Sequence, residues 1–152
     1  MGWYLFGFFD GAPNIIGACI HFAIRLHHCY CLKMGCGQST NIRSELLALW
    51  TLLITSKMSG LPCVHIHGDS SAIINWFNRR SLLSSLTLDG WCQNIRDLES
   101  SFLQRDACHV YREYNVMVDG LSKEALSMAL GLLHYSEFTE GECTGCGTFQ
   151  LY

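Results

Sequence analysis

Charge is scarce in this chain, and positive charge most of all. Asp, Glu, Lys and Arg make up 15% of its 152 residues, and only ten of these are Lys or Arg. The net charge of −3 argues against tight, autonomous nucleic-acid binding, because Lys and Arg contacts to phosphate supply most of the non-specific affinity. The basic residues are scattered along the sequence, with Arg79-Arg80 the sole pair. No apolar run reaches the roughly 18 residues that a membrane-spanning helix needs, so no membrane role is expected. Met1-Gly2-Trp3-Tyr4 has no basic n-region of a signal peptide. Phe6 stands where a myristoylation signal has Ser or Thr. The expectation is a protein that is not secreted, in the nucleus or cytoplasm. An apolar fraction of 49% excludes a disordered tail, and the length suits one domain with a real core.

Cysteine is plentiful, with nine residues. Without a secretory signal they are expected to be reduced. Cys19, Cys29, Cys31, Cys63 and Cys108 fall in apolar, strand-like runs and read as small buried hydrophobes. Cys143-x-x-Cys146 has metal-like spacing but supplies two of the usual four zinc ligands, with His134 a distant third candidate.

Residues 3–10, 15–26 and 29–36 read as three strands of an antiparallel meander, with turn signals at Asp10-Gly11-Ala12-Pro13-Asn14 and at His27-His28. A helix of about 15 residues starts near Arg43, where Thr40 or Asn41 can cap it. It is apolar nearly all round and therefore expected to be buried. Gly60-Leu61-Pro62 stops it. Residues 63–68 read as a strand, and a helix runs from Ser70 or Ser71 to Phe77. Another helix spans Leu88 to Phe102, with Trp91, Ile95, Leu98 and Phe102 on one face. A strand at 107–112 and a helix from Val116 to about Leu130 follow. Residues 131–152 read as a C-terminal tail of unknown role after a domain of residues 1–130. The order β-β-β-α-β-α-α-β-α implies an α/β fold, a mixed five-stranded sheet with helices on both faces. Right-handed crossovers bring the fourth and fifth strands back parallel to the first.

Four carboxylates, Asp10, Glu45, Asp69 and Asp119, sit where hydrophobic elements begin or end. Acids are rarely buried unless paired or bound to a cation, so this placement suggests a cluster that holds divalent metal. Asp10 and Asp69 end neighbouring parallel strands, at the edge where open α/β sheets place their ligand sites. For Asp69 or Asp119 taken alone, an acid near a helix N-terminus is the simpler reading.

Four segments carry a family resemblance: Phe8-Phe9-Asp10-Gly11-Ala12, Thr40 to Leu49, His67-Gly68-Asp69-Ser70, and His109 to Ser122. In this order and spacing the chain resembles the ribonuclease H domain, most closely the reverse-transcriptase-like group of plants, often derived from retrotransposons. The resemblance implies the ribonuclease-H-like fold and cleavage of the RNA strand of an RNA–DNA hybrid. Asp10, Glu45, Asp69 and Asp119 become the metal-binding acids, with Asp10 bridging two Mg²⁺ or Mn²⁺ ions. Hard oxygen ligands select such ions over zinc, and two metals about 4 Å apart activate water and stabilise the leaving oxygen. Thr40 and Asn41 correspond to positions that touch the nucleic-acid backbone and minor groove. Gly11 and Ser71 are further candidates to contact RNA, and Ser71 offers a hydroxyl to the 2′-OH. Arg112 falls near the scissile phosphate. His109 has the spacing of a histidine that assists product release, with a structural role equally open. Asn115 reads as a helix cap, and His65 and His67 either line the site or belong to the core. Arg79-Arg80 ends a helix and can also meet phosphate.

The chain has no basic, Trp-rich protrusion of the kind that some bacterial members use to grip duplex. The expectation is a monomeric hybrid nuclease. The alternative is a retroelement-derived nucleic-acid-binding domain that keeps the fold and acids but has little turnover.

Overall fold

The structure, a computed structural model, describes residues 4–12, 15–22, 28–60, 62–83, 88–111 and 129–152. Along these residues run β1 (Tyr4–Ala12), β2 (Ile15–Phe22), β3 (His28–Gly35), α1 (Asn41–Met58), β4 (Cys63–Gly68), α2 (Ser71–Phe77), α3 (Asp89–Glu99), β5 (Gln104–His109), β6 (Leu132–Thr139) and β7 (Glu142–Gln150). The expected last helix and Asn115 lie outside the described residues.

The strands form one mixed α/β sheet in the order β5-β4-β1-β2-β3-β6-β7. Its first five strands are those read from the sequence: β1, β2 and β3 make the antiparallel meander, and β4 and β5 lie parallel to β1. The sheet has seven strands where five were expected, because the supposed tail is a hairpin. β6 pairs antiparallel with β3, and β7 with β6. The hairpin turns at Glu140-Gly141, where both residues have positive φ (53° and 82°), the backbone that a tight two-residue hairpin needs. Its end is tied down as well. Leu151 donates its N–H to the Gly131 carbonyl, and the Tyr152 ring meets Trp50 and Trp91 edge-on at centroid distances of 5.9 and 5.5 Å.

α1 runs across β1 and β2 and gives the core more buried residues than any other described element. Leu46, Leu47, Ala48, Leu49, Leu52 and Leu53 are all fully buried, as a helix apolar on nearly every side requires. Its buried Thr51, Thr55 and Ser56 hydroxyls donate to carbonyls one turn back (Leu47, Thr51 and Leu52), so none of these three hydroxyls is stranded. Both crossovers, β3-α1-β4 and β4-α2-α3-β5, step across the sheet in the same direction. A right-handed path therefore puts α1, α2 and α3 on one face, and α3 packs directly on α1. Helices on both faces were expected; the helix predicted from Val116 falls outside the described residues. No described helix is long and apolar enough to cross a membrane.

Two local expectations shift. β5 begins at Gln104, three residues before the apolar run that suggested it, because Arg105 and Asp106 find partners in Glu99 and His65. Cys108 is exposed, since β5 is an edge strand that buries only Ala107. Cys29, Cys31 and Cys63 are half-buried, and among the described side chains Cys36 is the buried thiol.

Leu133 of β6 is fully buried against the main core. Leu133→Ala is expected to cost about 2–4 kcal/mol in a urea melt, as for other core truncations. A change under about 0.5 kcal/mol would return residues 131–152 to the status of an appended tail.

Candidate metal centre

β1 and β4 run in register, with Phe9 opposite Gly68, so Asp10 and Asp69 leave adjacent strands at the same end. Glu45 comes from the helix above. Thr40 caps α1, accepting the Arg43 N–H at 3.2 Å, and Glu45 follows one turn later. What lets that turn reach the strand end is Gly11. A Cβ on Gly11 would lie 2.3 Å from the Ser44 carbonyl carbon and 2.5 Å from the Glu45 nitrogen, both backbone atoms. Only a residue without a side chain fits between β1 and α1.

The outcome is a trio. Asp10, Glu45 and Asp69 each offer a carboxylate oxygen, and these atoms lie within 4.8 Å of one another. Asp10 is 5% exposed and Glu45 9%. Glu45 Oε2 is buried without a hydrogen-bond partner among the described residues. Burial, then the neighbouring Asp10 and Asp69 charges, push the Glu45 carboxyl up to about 9. A stranded acceptor and like charges in close reach are costly in the bare protein. A divalent cation offsets both costs, and an all-oxygen donor set suits Mg²⁺ or Mn²⁺. The residues present fit such an ion.

The other candidates divide. Thr40, Asn41 and Ser71 are exposed at the same end of the sheet, Thr40 already serving as a cap. Gly11 stands there too, but α1 occupies the space over its Cα. His109 is the last residue of β5, exposed, and its Nε2 lies 3.1 Å from the Asp69 carbonyl oxygen. Asp119 and Arg112 lie outside the described residues. His65 and His67 stay out of the trio. On the sheet face turned away from α1, His67 stacks on Phe8 and His65 lies tilted against Phe6, and His65 pairs with Asp106. Cys143, Cys146 and His134 form no metal-ligand group; among the described residues the acid trio is the one cluster of that kind.

The sequence profile of the reverse transcriptase-like family matches residues 18–125. The chain belongs to the reverse transcriptase-like family. No curated protein sequence matches it significantly. Among solved structures it is similar to ribonuclease H1 of the archaeon Halobacterium salinarum, with 22% identity and a TM-score of 0.66 over 81% of this chain and 97% of that one. It is also similar to the N-terminal ribonuclease H domain of a Mycobacterium tuberculosis protein, solved as a fusion with maltose-binding protein (20%, 0.74, 81% and 93%). A third similar structure is the LC11 ribonuclease H1 in complex with an RNA/DNA hybrid (23%, 0.71, 80% and 96%). The fold of this family member is therefore that of ribonuclease H.

Two outcomes test the centre. Gly11→Ala forces α1 away from β1 and is expected to destabilise the fold by about 3 kcal/mol, near the top of the overpacking range. Its melt should also lose most of any Mg²⁺-dependent shift; an unchanged shift would show that Glu45 does not need this approach. The second outcome concerns pH. Glu45 binds its proton more tightly folded than unfolded, so metal-free stability should fall as pH rises from about 4.5 toward about 9. The slope from this group is at most about 1.4 kcal/mol per pH unit. Mg²⁺ should stabilise more at pH 8 than at pH 6, and Glu45→Gln should remove this component of the pH slope. Melts of both proteins at three pH values, with and without Mg²⁺, read it.

Proposed function

We propose that the chain is a metal-dependent endonuclease that hydrolyses the RNA strand of RNA–DNA hybrids. The observation that carries this reading is the convergence of Asp10, Glu45 and Asp69 oxygens within 4.8 Å, in a chain with the ribonuclease H fold. A solved neighbour in complex with an RNA/DNA hybrid supports the substrate class. Asp10, Glu45, Asp69 and Asp119 would hold two Mg²⁺ or Mn²⁺ ions, which when bound polarise the phosphodiester and supply an activated water.

The chain's own residues do the rest. Asp10, the most buried of the three acids, would hold the metal together with Glu45 and Asp69. Glu45, whose carboxyl is pushed up to about 9 by burial and by the Asp10 and Asp69 charges, would have to give up a proton to hold a cation, so binding would be coupled to deprotonation. His109 holds the Asp69 backbone through its carbonyl and stands exposed beside the centre, where it can meet a departing strand. Thr40, Asn41 and Ser71 present exposed polar groups at this end of the sheet, and the Ser71 hydroxyl is suited to the RNA 2′-OH. Gly11 acts through α1, whose first turn it admits beside Asp10, and Arg112 would pair with the phosphate being cleaved.

The test is cleavage of a labelled RNA–DNA hybrid in Mg²⁺ or Mn²⁺ by wild type and by Asp10→Asn. Wild type should cut the RNA strand, and Asp10→Asn should lose about 10²-fold or more, the scale of several kcal/mol of metal-borne stabilisation. Hybrid binding without cleavage by wild type would overturn the enzyme and leave a binding domain.

A further inference from the structure

Three of the ten cations, distant from one another in sequence, converge on one carboxylate. Glu99, at the C-terminal end of α3, has a side chain only 4% exposed, and three arginines from three different elements close on it. Arg79 follows α2 and meets both carboxylate oxygens, at 2.9 and 3.3 Å. Arg96 lies one turn back on α3, and its Nη1 reaches Oε2 at 3.0 Å. Arg105, on β5, brings its Nε to Oε1 at 3.0 Å. Arg80 stands exposed beside them.

One carboxylate cannot neutralise four guanidinium groups. Arg96 is spent on structure: it lies 4.1 Å from the Trp76 ring centroid and donates to the Trp76 and Phe77 carbonyls at 2.7 and 3.0 Å. Arg79, 60% exposed, and Arg105, 34% exposed, still present N–H groups to solvent, and Arg80 adds a third. Arg79 is held in the left-handed region at φ 61°, a conformation that a non-glycine residue adopts only when its surroundings impose it. Burial alone would raise the Glu99 carboxyl, but the three guanidinium groups hold it below the usual range, so the buried anion stays ionised as their common anchor.

The location adds the second half of the argument. Arg105 stands opposite Val64 in the β4–β5 pair, five residues before Asp69, so the arginines lie about 17 Å from the acid trio along the strands. That span corresponds to about five base pairs of duplex. We propose that Arg79, Arg80 and Arg105, arrayed on Glu99, form a second contact for the phosphate backbone of a duplex, separate from the acid end of the sheet. Guanidinium forks match phosphate oxygens two at a time, as they match the Glu99 carboxylate, and the closely repeated charges of a duplex backbone can meet several guanidinium groups side by side. The contact supplies binding that the acids, themselves negative, cannot. The inference rests on a nucleic-acid partner but not on turnover.

The experiment measures binding, not cleavage: fluorescence anisotropy of a long labelled RNA–DNA hybrid, about 20 base pairs, in EDTA, between 50 and 200 mM salt. Wild type, Arg79→Gln/Arg80→Gln and Arg79→Lys/Arg80→Lys are compared, with thermal melts to confirm folding. The Gln pair should bind the long hybrid several-fold more weakly, with a salt slope smaller by about two. The Lys pair should keep the wild-type slope. An unchanged slope in the Gln pair would overturn the proposal. So would a Lys pair that falls as far as the Gln pair, or a wild type that binds a poly-glutamate peptide in preference to duplex or binds no duplex. Because no metal is present, absence of cleavage in the preceding assay leaves this result independent.

Discussion

Everything at the acid end depends on the backbone of α1 touching the backbone of β1 at Gly11. A helix packed on a sheet through side chains sits about 10 Å above it, and a Glu side chain cannot cross that gap to meet a strand-end Asp. At Gly11 the side chain is absent and the first turn of α1 drops onto the strand. Glu45 is thereby brought beside Asp10 and Asp69 with one oxygen unsatisfied. The cost of that arrangement is borne by the fully buried leucines of α1, which hold the helix in place against the repulsion at its start.

The two ends of the parallel strands carry opposite charge. Carboxylates collect where β1 and β4 end, and guanidinium groups collect where β5 begins. Both clusters are built from residues distant in sequence, and both contain a buried carboxylate. Their chemistry differs because the neighbours differ. Glu45 has other acids beside it and is driven to keep its proton, whereas Glu99 has three arginines and is driven to lose it. A net charge of −3 therefore says little about the local field that a partner meets.

Much of the fold was legible from the chain. Hydrophobic runs and turn residues marked five strands and three helices of the described core, and the crossover rule put β4 beside β1. The hairpin of residues 132–150 was missed because its outer strand, pattern Glu-Cys-Thr-Gly-Cys-Gly-Thr-Phe-Gln, has too few apolar side chains to show a period. Its stability comes from pairing with β3 and from burying Leu133, neither of which is a local property. The Glu140-Gly141 dipeptide was the available signal. Likewise, β5 was placed three residues late because Arg105 and Asp106 look like loop residues until Glu99 and His65 are beside them.

The sequence by itself determined which residues could form a metal centre and which family they belong to, since four acids at element ends and their flanking segments are one-dimensional features. It also determined that α1 would be buried, because a helix apolar on every side has nowhere else to go. Only the tertiary structure decided that Asp10, Glu45 and Asp69 meet, that His109 reaches the Asp69 carbonyl while His65 and His67 stay apart, and that scattered arginines form one patch. Those are distances between elements. They are set by strand register and by a backbone contact at one glycine, and no periodicity along the chain encodes them.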